Sequence, residues 1–157
     1  MLVVLSIIAI LSSIGVLAFA SYRQQRLVPE SARRLVTLLT AAREHAIAED
    51  RLFQALIDID RNLAWIDRVG PQPADFAPKI VAPVELPDMV RIASVKHDGV
   101  ESASGRVAIV FHPDGTADTA VIHLVEEFAN PADTSKAFSV MVYHSTGRAH
   151  VIERALK

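Results

Sequence analysis

Ala42-Arg43-Glu44-His45-Ala46-Ile47-Ala48-Glu49-Asp50-Arg51-Leu52-Phe53-Gln54-Ala55-Leu56-Ile57-Asp58-Ile59 contains the change of period that decides the fold. Up to Asp50 the pattern is helical. Ala32, Leu35, Leu39, Ala42 and Ala46 recur every three or four residues, Leu38 and Ile47 widen the stripe, and Arg33, Arg34, Arg43 and Glu44 take other faces. Beyond Arg51 the period falls to two. Phe53, Ala55, Ile57 and Ile59 alternate with Leu52, Gln54, Leu56 and Asp58, the pattern of a strand. A helix that hands over directly to a strand predicts an α+β chain.

Downstream, Asp60-Arg61-Asn62 supplies turn residues and Leu63 to Ile66 return as a second strand. The stretch from Gly70 to Pro87 carries Pro71, Pro73, Pro78 and Pro83 and reads as a long irregular connection. Met89 to Val95 reads as a strand, and His97 to Gly105 as a polar loop. Arg106 to His112 then runs into Pro113-Asp114-Gly115, a strong turn signal, with Thr119 to Glu126 after it. Asn130 to Lys136 is a loop. Phe138 to Tyr143 is followed by the turn Ser145-Thr146-Gly147, and Ala149 to Arg154 closes the sheet. The expected head is antiparallel β, covered on one side by the helix.

Upstream lies an apolar run: Leu2, Val3, Val4, Leu5, Ile7, Ile8, Ile10, Leu11, Ile14, Val16, Leu17 and Phe19, with no charge from Met1 to Tyr22. About 20 helical residues at 1.5 Å each cover the roughly 30 Å hydrocarbon core of a bilayer. The predicted division is therefore a transmembrane half-helix over 1–22, a second helical half over 23–50 and a β-rich head over 51–157. Pro29 would kink one long helix or stand in the first turn of a new one. The competing reading is a cleaved signal peptide, with Ala18-Phe19-Ala20 as cleavage site and a mature end at Ser21. A core helix of a soluble domain is a poorer fit, because the run is apolar all round. Arg23 and Arg26, just after the run, oppose export by the positive-inside rule, and a basic leader upstream would reverse that balance.

Composition narrows the function. The formal net charge is −2, so the chain lacks the basic excess of a general nucleic-acid binder. With no cysteine, disulfide frameworks, thiolate zinc sites and cysteine nucleophiles are excluded. G-x-S-x-G, P-loop and dinucleotide motifs do not occur, and the expectation is a non-enzyme without a cofactor. Of six histidines, His112 and His123 would face each other across the Pro113-Asp114-Gly115 turn, and His144 and His150 across the next, although ordinary strand histidines are commoner than metal ligands. Asp58-Ile59-Asp60-Arg61-Asn62 begins like a calcium loop, but Leu63 stands where glycine is needed and Val69 where the closing glutamate would be, so a hairpin turn is expected.

The sequence resembles the type IV pilin superfamily, and within it the GspH/FimT-like minor pseudopilins. Met1 to Leu11 looks like the superfamily's N-terminal helix. Ala42-Arg43-Glu44-His45-Ala46-Ile47 is similar to the subgroup's helix-to-strand junction. Phe111-His112-Pro113-Asp114-Gly115-Thr116, with Tyr143-His144-Ser145-Thr146-Gly147-Arg148, resembles its paired hairpin pattern. The resemblance implies a pilin-like fold and a structural subunit of a type II secretion pseudopilus, near its tip. It implies a single-pass place in the bacterial inner membrane with the head in the periplasm. The implied partners are other major and minor pseudopilins, the inner-membrane secretion platform, membrane lipid and a prepilin peptidase. In the family a basic leader ending in glycine is cut off and the new end is methylated. That cleavage site would lie upstream of Met1, as would the family's early glutamate. The alternative within the resemblance is a FimT-like type IV minor pilin that contacts DNA through Arg148, His150, Arg154 and Lys157, although Ala149 and His150 stand where a further arginine is expected.

Overall fold

The computed structural model describes residues 27–70, 81–127 and 137–154. The apolar run from Leu2 to Phe19 lies outside them, and no helix among the described residues is long and apolar enough to cross a membrane.

Helix α1 covers residues 27–49 as described. Val28, Ala32, Leu35, Leu38, Leu39, Ala42 and Ala46 are all buried in one core cluster, at the spacing a 3.6-residue repeat requires. Each larger aliphatic side chain so buried contributes about 1.5–3 kcal/mol. Ile47, expected to widen this stripe, is instead 44% exposed. One residue past Ala46 is a rotation of about 100°, which carries its side chain off the core and beside Gly115. The helix is helical on both sides of Pro29. It stops at Asp50, whose φ of 51° takes the chain into the left-handed region, and Arg51 N–H reaches back to the Ala46 carbonyl at 3.2 Å. That is the usual way to satisfy a carbonyl at a helix end.

The head is a pair of antiparallel sheets. β1 (Phe53–Asp58), β2 (Leu63–Arg68), β3 (Val84–Glu85) and β6 (Arg106–Phe111) form sheet A in the order β3-β2-β1-β6. β4 (Val90–His97), β5 (Val100–Ser102), β7 (Ala120–Glu126), β8 (Ala137–Val142) and β9 (Ala149–Arg154) form sheet B in the order β5-β4-β7-β8-β9. The Asp58-to-Asn62 segment is the expected hairpin turn, with Asp58 opposite Leu63. Register puts Phe53, Ala55 and Ile57 of β1 level with Phe111, Ile109 and Val107 of β6. From sheet B, Ile122 stands between Val95 and Val140. All these residues belong to the same buried cluster as the helix stripe, so helix and both sheets share one core.

Three expectations need correction. The Pro113-Asp114-Gly115 turn does not close a hairpin, because β6 pairs in sheet A and β7 in sheet B; only a single bridge, Phe111 to Ala117, precedes the crossover. His112 and His123 therefore do not face each other. The polar stretch after His97 is not all loop: β5 lies in it, turned by Asp98 and Gly99 at positive φ. β3 pairs with β2 inside the proline-rich connection, at Val84 and Glu85.

Candidate functional site

Arg43 is the residue on which the end of the helix and two distant loops converge. Its Nε donates to the carbonyl of Thr146 at 2.7 Å and to that of Gly115 at 3.2 Å. Position 43 follows the buried Ala42, so the side chain leaves α1 at the border of the core, where a long cation can lay its stem on apolar surface and keep its charge wet.

The loops are shaped to meet it. Residues 112–116 form a tight turn in which Gly115 N–H donates to the His112 carbonyl at 2.9 Å and His112 N–H to the Thr116 carbonyl at 2.9 Å. Asp114 caps it: its Oδ1 accepts from the Thr116 hydroxyl at 2.6 Å and from Thr116 N–H at 2.9 Å. These two hydrogen bonds hold the Asp114 carboxyl below the usual range. The second loop turns through Gly147, whose N–H donates to the Tyr143 carbonyl at 2.8 Å. Gly115 and Gly147 both have positive φ, 85° and 57°. At Gly147 a side chain is excluded twice over, because a Cβ would collide with the Gly115 carbonyl oxygen. The loops are also sewn to each other: Ala117 N–H donates to the His144 carbonyl at 3.1 Å, and His144 Nδ1 lies 2.6 Å from the Ala117 carbonyl, as a donor. His144 is thus a loop-to-loop tie and does not pair with His150.

Beside this junction, His45 stacks on Phe53 with ring centroids 5.6 Å apart, and Arg68 lies over the same ring at 5.9 Å while pairing with Glu49 at 2.7 Å. On the outer side, Tyr143 meets His150 edge-on at 5.9 Å. Of the four residues considered for DNA contact, Arg148 and His150 are exposed at the start of β9. The Arg154 side chain and all of Lys157 lie outside the described part, as does every residue of the membrane run. The structure brings Arg148 and His150 close to the Arg43 junction without adding them to it.

At the opposite end of β1, Asn62 joins the sheets. Its Nδ2 donates to the Val90 carbonyl and its Oδ1 accepts from Ile92 N–H, both at 2.8 Å, so the amide pairs with β4 as a strand would. Nearby, Asp58 is 4% exposed and pairs with Arg106 Nε at 2.9 Å. Burial pushes its carboxyl up, but the hydrogen bonds from Arg106 and the Arg61 N–H, with the charges of both arginines, outweigh it and hold the carboxyl below its ordinary value. Sequence reading had missed Asn62, Arg106 and Arg43 as structural ties. Only Arg43 carried a signal, as part of the junction motif.

What the geometry describes is a small two-sheet head fastened along a helix by a buried stripe and a guanidinium, a fold shared with pilin-like subunits. The sequence model of the family described as type II transport protein GspH matches residues 31–147, and the chain belongs to that family of minor pseudopilins. Solved structures agree on the fold. The minor pseudopilin EpsH from the type II secretion system of Vibrio cholerae superposes with a TM-score of 0.64 at 14% identity, over 85% of this chain and 98% of that one. The type IV minor pilin FimU of Pseudomonas aeruginosa superposes with a TM-score of 0.56 at 14% identity, over 79% and 91%. No curated protein matches the sequence.

Proposed function

We propose that the chain works as a structural, non-enzymatic subunit of a type II secretion pseudopilus, held in the inner membrane through residues 2–19, with its head in the periplasm and its place near the fibre tip. The observation that carries this reading is the fastening of α1 to the head. Seven buried apolar helix positions and the two hydrogen bonds of Arg43 make helix and head one unit, as a subunit built by helix bundling requires. Its partners are other major and minor pseudopilins and the secretion platform, and a prepilin peptidase acts upstream of Met1. N-terminal sequencing of the chain extracted from membranes tests the anchor. A mature end a few residues before Met1, beginning with an aromatic residue, supports it; an end at Ser21 means a removed signal peptide and overturns it.

A second reading, DNA contact by a type IV minor pilin, rests on the exposure of Arg148, just before β9, and of His150 on it. Mobility shift of short duplex DNA by the full chain at low salt, lost in Arg148→Ala, would favour it. An absence of any shift ends it.

A further inference from the structure

We propose that His97, Asp98 and Asp118 bind a divalent cation of the zinc class at the turn between β4 and β5. The three side chains come from two pieces of backbone. His97 ends β4, Asp98 stands in the turn at a φ of 46°, and Asp118 lies in the crossover between the sheets. His97 Nε2 is 3.1 Å from Asp118 Oδ2 and 3.7 Å from Asp98 Oδ2, and the three ligand atoms all lie within 4.8 Å of one another. Zinc bonds to imidazole nitrogen and carboxylate oxygen are about 2.0–2.1 Å long. In a tetrahedron of that size neighbouring ligands stand about 3.3–3.4 Å apart, and the two distances from His97 straddle that value. A small rotation of Asp98, whose side chain is 60% exposed, closes the remaining gap.

The charge favours a cation. Two carboxylates on one imidazole leave the group net negative, and among the described residues His97 is the sole basic partner of either aspartate, hydrogen-bonded to Asp118 at the 3.1 Å contact. The donor set, one borderline nitrogen with two hard oxygens, suits zinc or manganese better than calcium, which prefers six to eight oxygens. The ligands are also braced from behind. Val110 N–H donates to Asp118 Oδ2 at 3.0 Å, Asp118 N–H donates to the Val110 carbonyl at 3.0 Å, and Asp98 N–H donates to the Thr119 carbonyl at 3.0 Å. Such second contacts orient ligands and raise metal affinity. With the Asp98 side chain exposed, water or a side chain of a neighbouring subunit would complete the coordination. Because Val110 belongs to sheet A and His97 to sheet B, the ion would cross-link the sheets.

The proposal stands whether or not the pseudopilus reading does. The test is zinc chloride titrated into the chelator-treated full chain in detergent, followed by calorimetry and thermal unfolding, with magnesium chloride alongside. One zinc per chain is expected, with a rise in Tm. His97→Gln and Asp98→Asn should each weaken zinc binding at least about tenfold, while His150→Ala leaves it unchanged. Asp98→Asn is the safer variant for folding, since its side chain is exposed. Absence of zinc binding overturns the proposal. So does binding that survives both variants, which would mark coordination by surface histidines elsewhere.

Discussion

The head is held at one end by a guanidinium and at the other by an amide. Arg43 gathers two loops that lie 72 and 103 residues away in sequence, through carbonyls next to exposed surface. Asn62 stitches β4 to the β1–β2 turn, 28 and 30 residues away, by completing a strand edge. The difference is between gathering and pairing. A guanidinium Nε–H shared between two carbonyls can gather chains that follow no common register. An amide that donates and accepts at once can replace one rung of a ladder and no more. The loop end, moreover, leaves no room for error, since Gly147 and Gly115 touch there. The amide end adapts, since an open cleft of about 600 Å³, lined by Asp60, Asn62, Leu63 and Asp88 among others, lies next to it.

Substitutions should separate the two ends. The largest effect is expected at the loop end. Gly147→Ala brings a methyl against the Gly115 carbonyl at positive φ, and should cost about 3 kcal/mol or more in chemical denaturation. Gly99→Ala, also at positive φ but with open space around it, should cost about 1 kcal/mol. Equal losses would break the picture of two loops in contact. Next comes Asn62→Ala, which leaves the Val90 carbonyl and the Ile92 N–H without their partner and should cost about 2 kcal/mol. Arg43→Ala should cost about 1–2 kcal/mol. Its sharper readout is hydrogen exchange, with faster exchange at Gly115, Ala117 and Gly147 and little change at Ile92. Uniformly faster exchange would mean that the ends are not independent. The smallest effect is a pH dependence at the amide end. A carboxyl held low in the folded chain gives its full stabilisation above the unfolded value of about 3.9 and loses it as pH falls through the lower folded value. The stability gap between the natural chain and Asp58→Asn should thus be level from pH 7 to about 4.5 and shrink below about 4. A gap unchanged at pH 2.5 would show that Asp58 acts by shape alone.

Much of the architecture was legible because it rests on local periodicity. The stripe from Ala32 to Ala46 and the alternation from Phe53 onward located α1 and β1, and the turn residues bounded most later strands. The assignment of strands to sheets was not legible. Pro113-Asp114-Gly115 has the chemistry of a turn, but a turn states only that the chain reverses, and here four further residues, Thr116 to Thr119, carry it across to the other sheet. β5 was hidden by its composition, since Val100-Glu101-Ser102 is short and polar, and β3 by the prolines around it. Ile47 misled because one helical step separates the core from the rim. The ties at Arg43 and Asn62 depend on contacts over long sequence distances, and no local pattern announces them. His97 and Asp98 were likewise read as the start of a polar loop and Asp118 was not singled out, because their nearness follows from the split of β6 and β7 between sheets.

The fastening of α1 also has a mechanical meaning. Buried positions from Val28 to Ala46 run for roughly five turns of helix, and Arg43 adds a peg at the far end. A rod keyed into its load at so many points cannot spin freely within it. Twist or thrust applied to the N-terminal end of α1 therefore arrives at the head undiminished, as rotation or lift of one body, and the head's angular setting is that of its spindle.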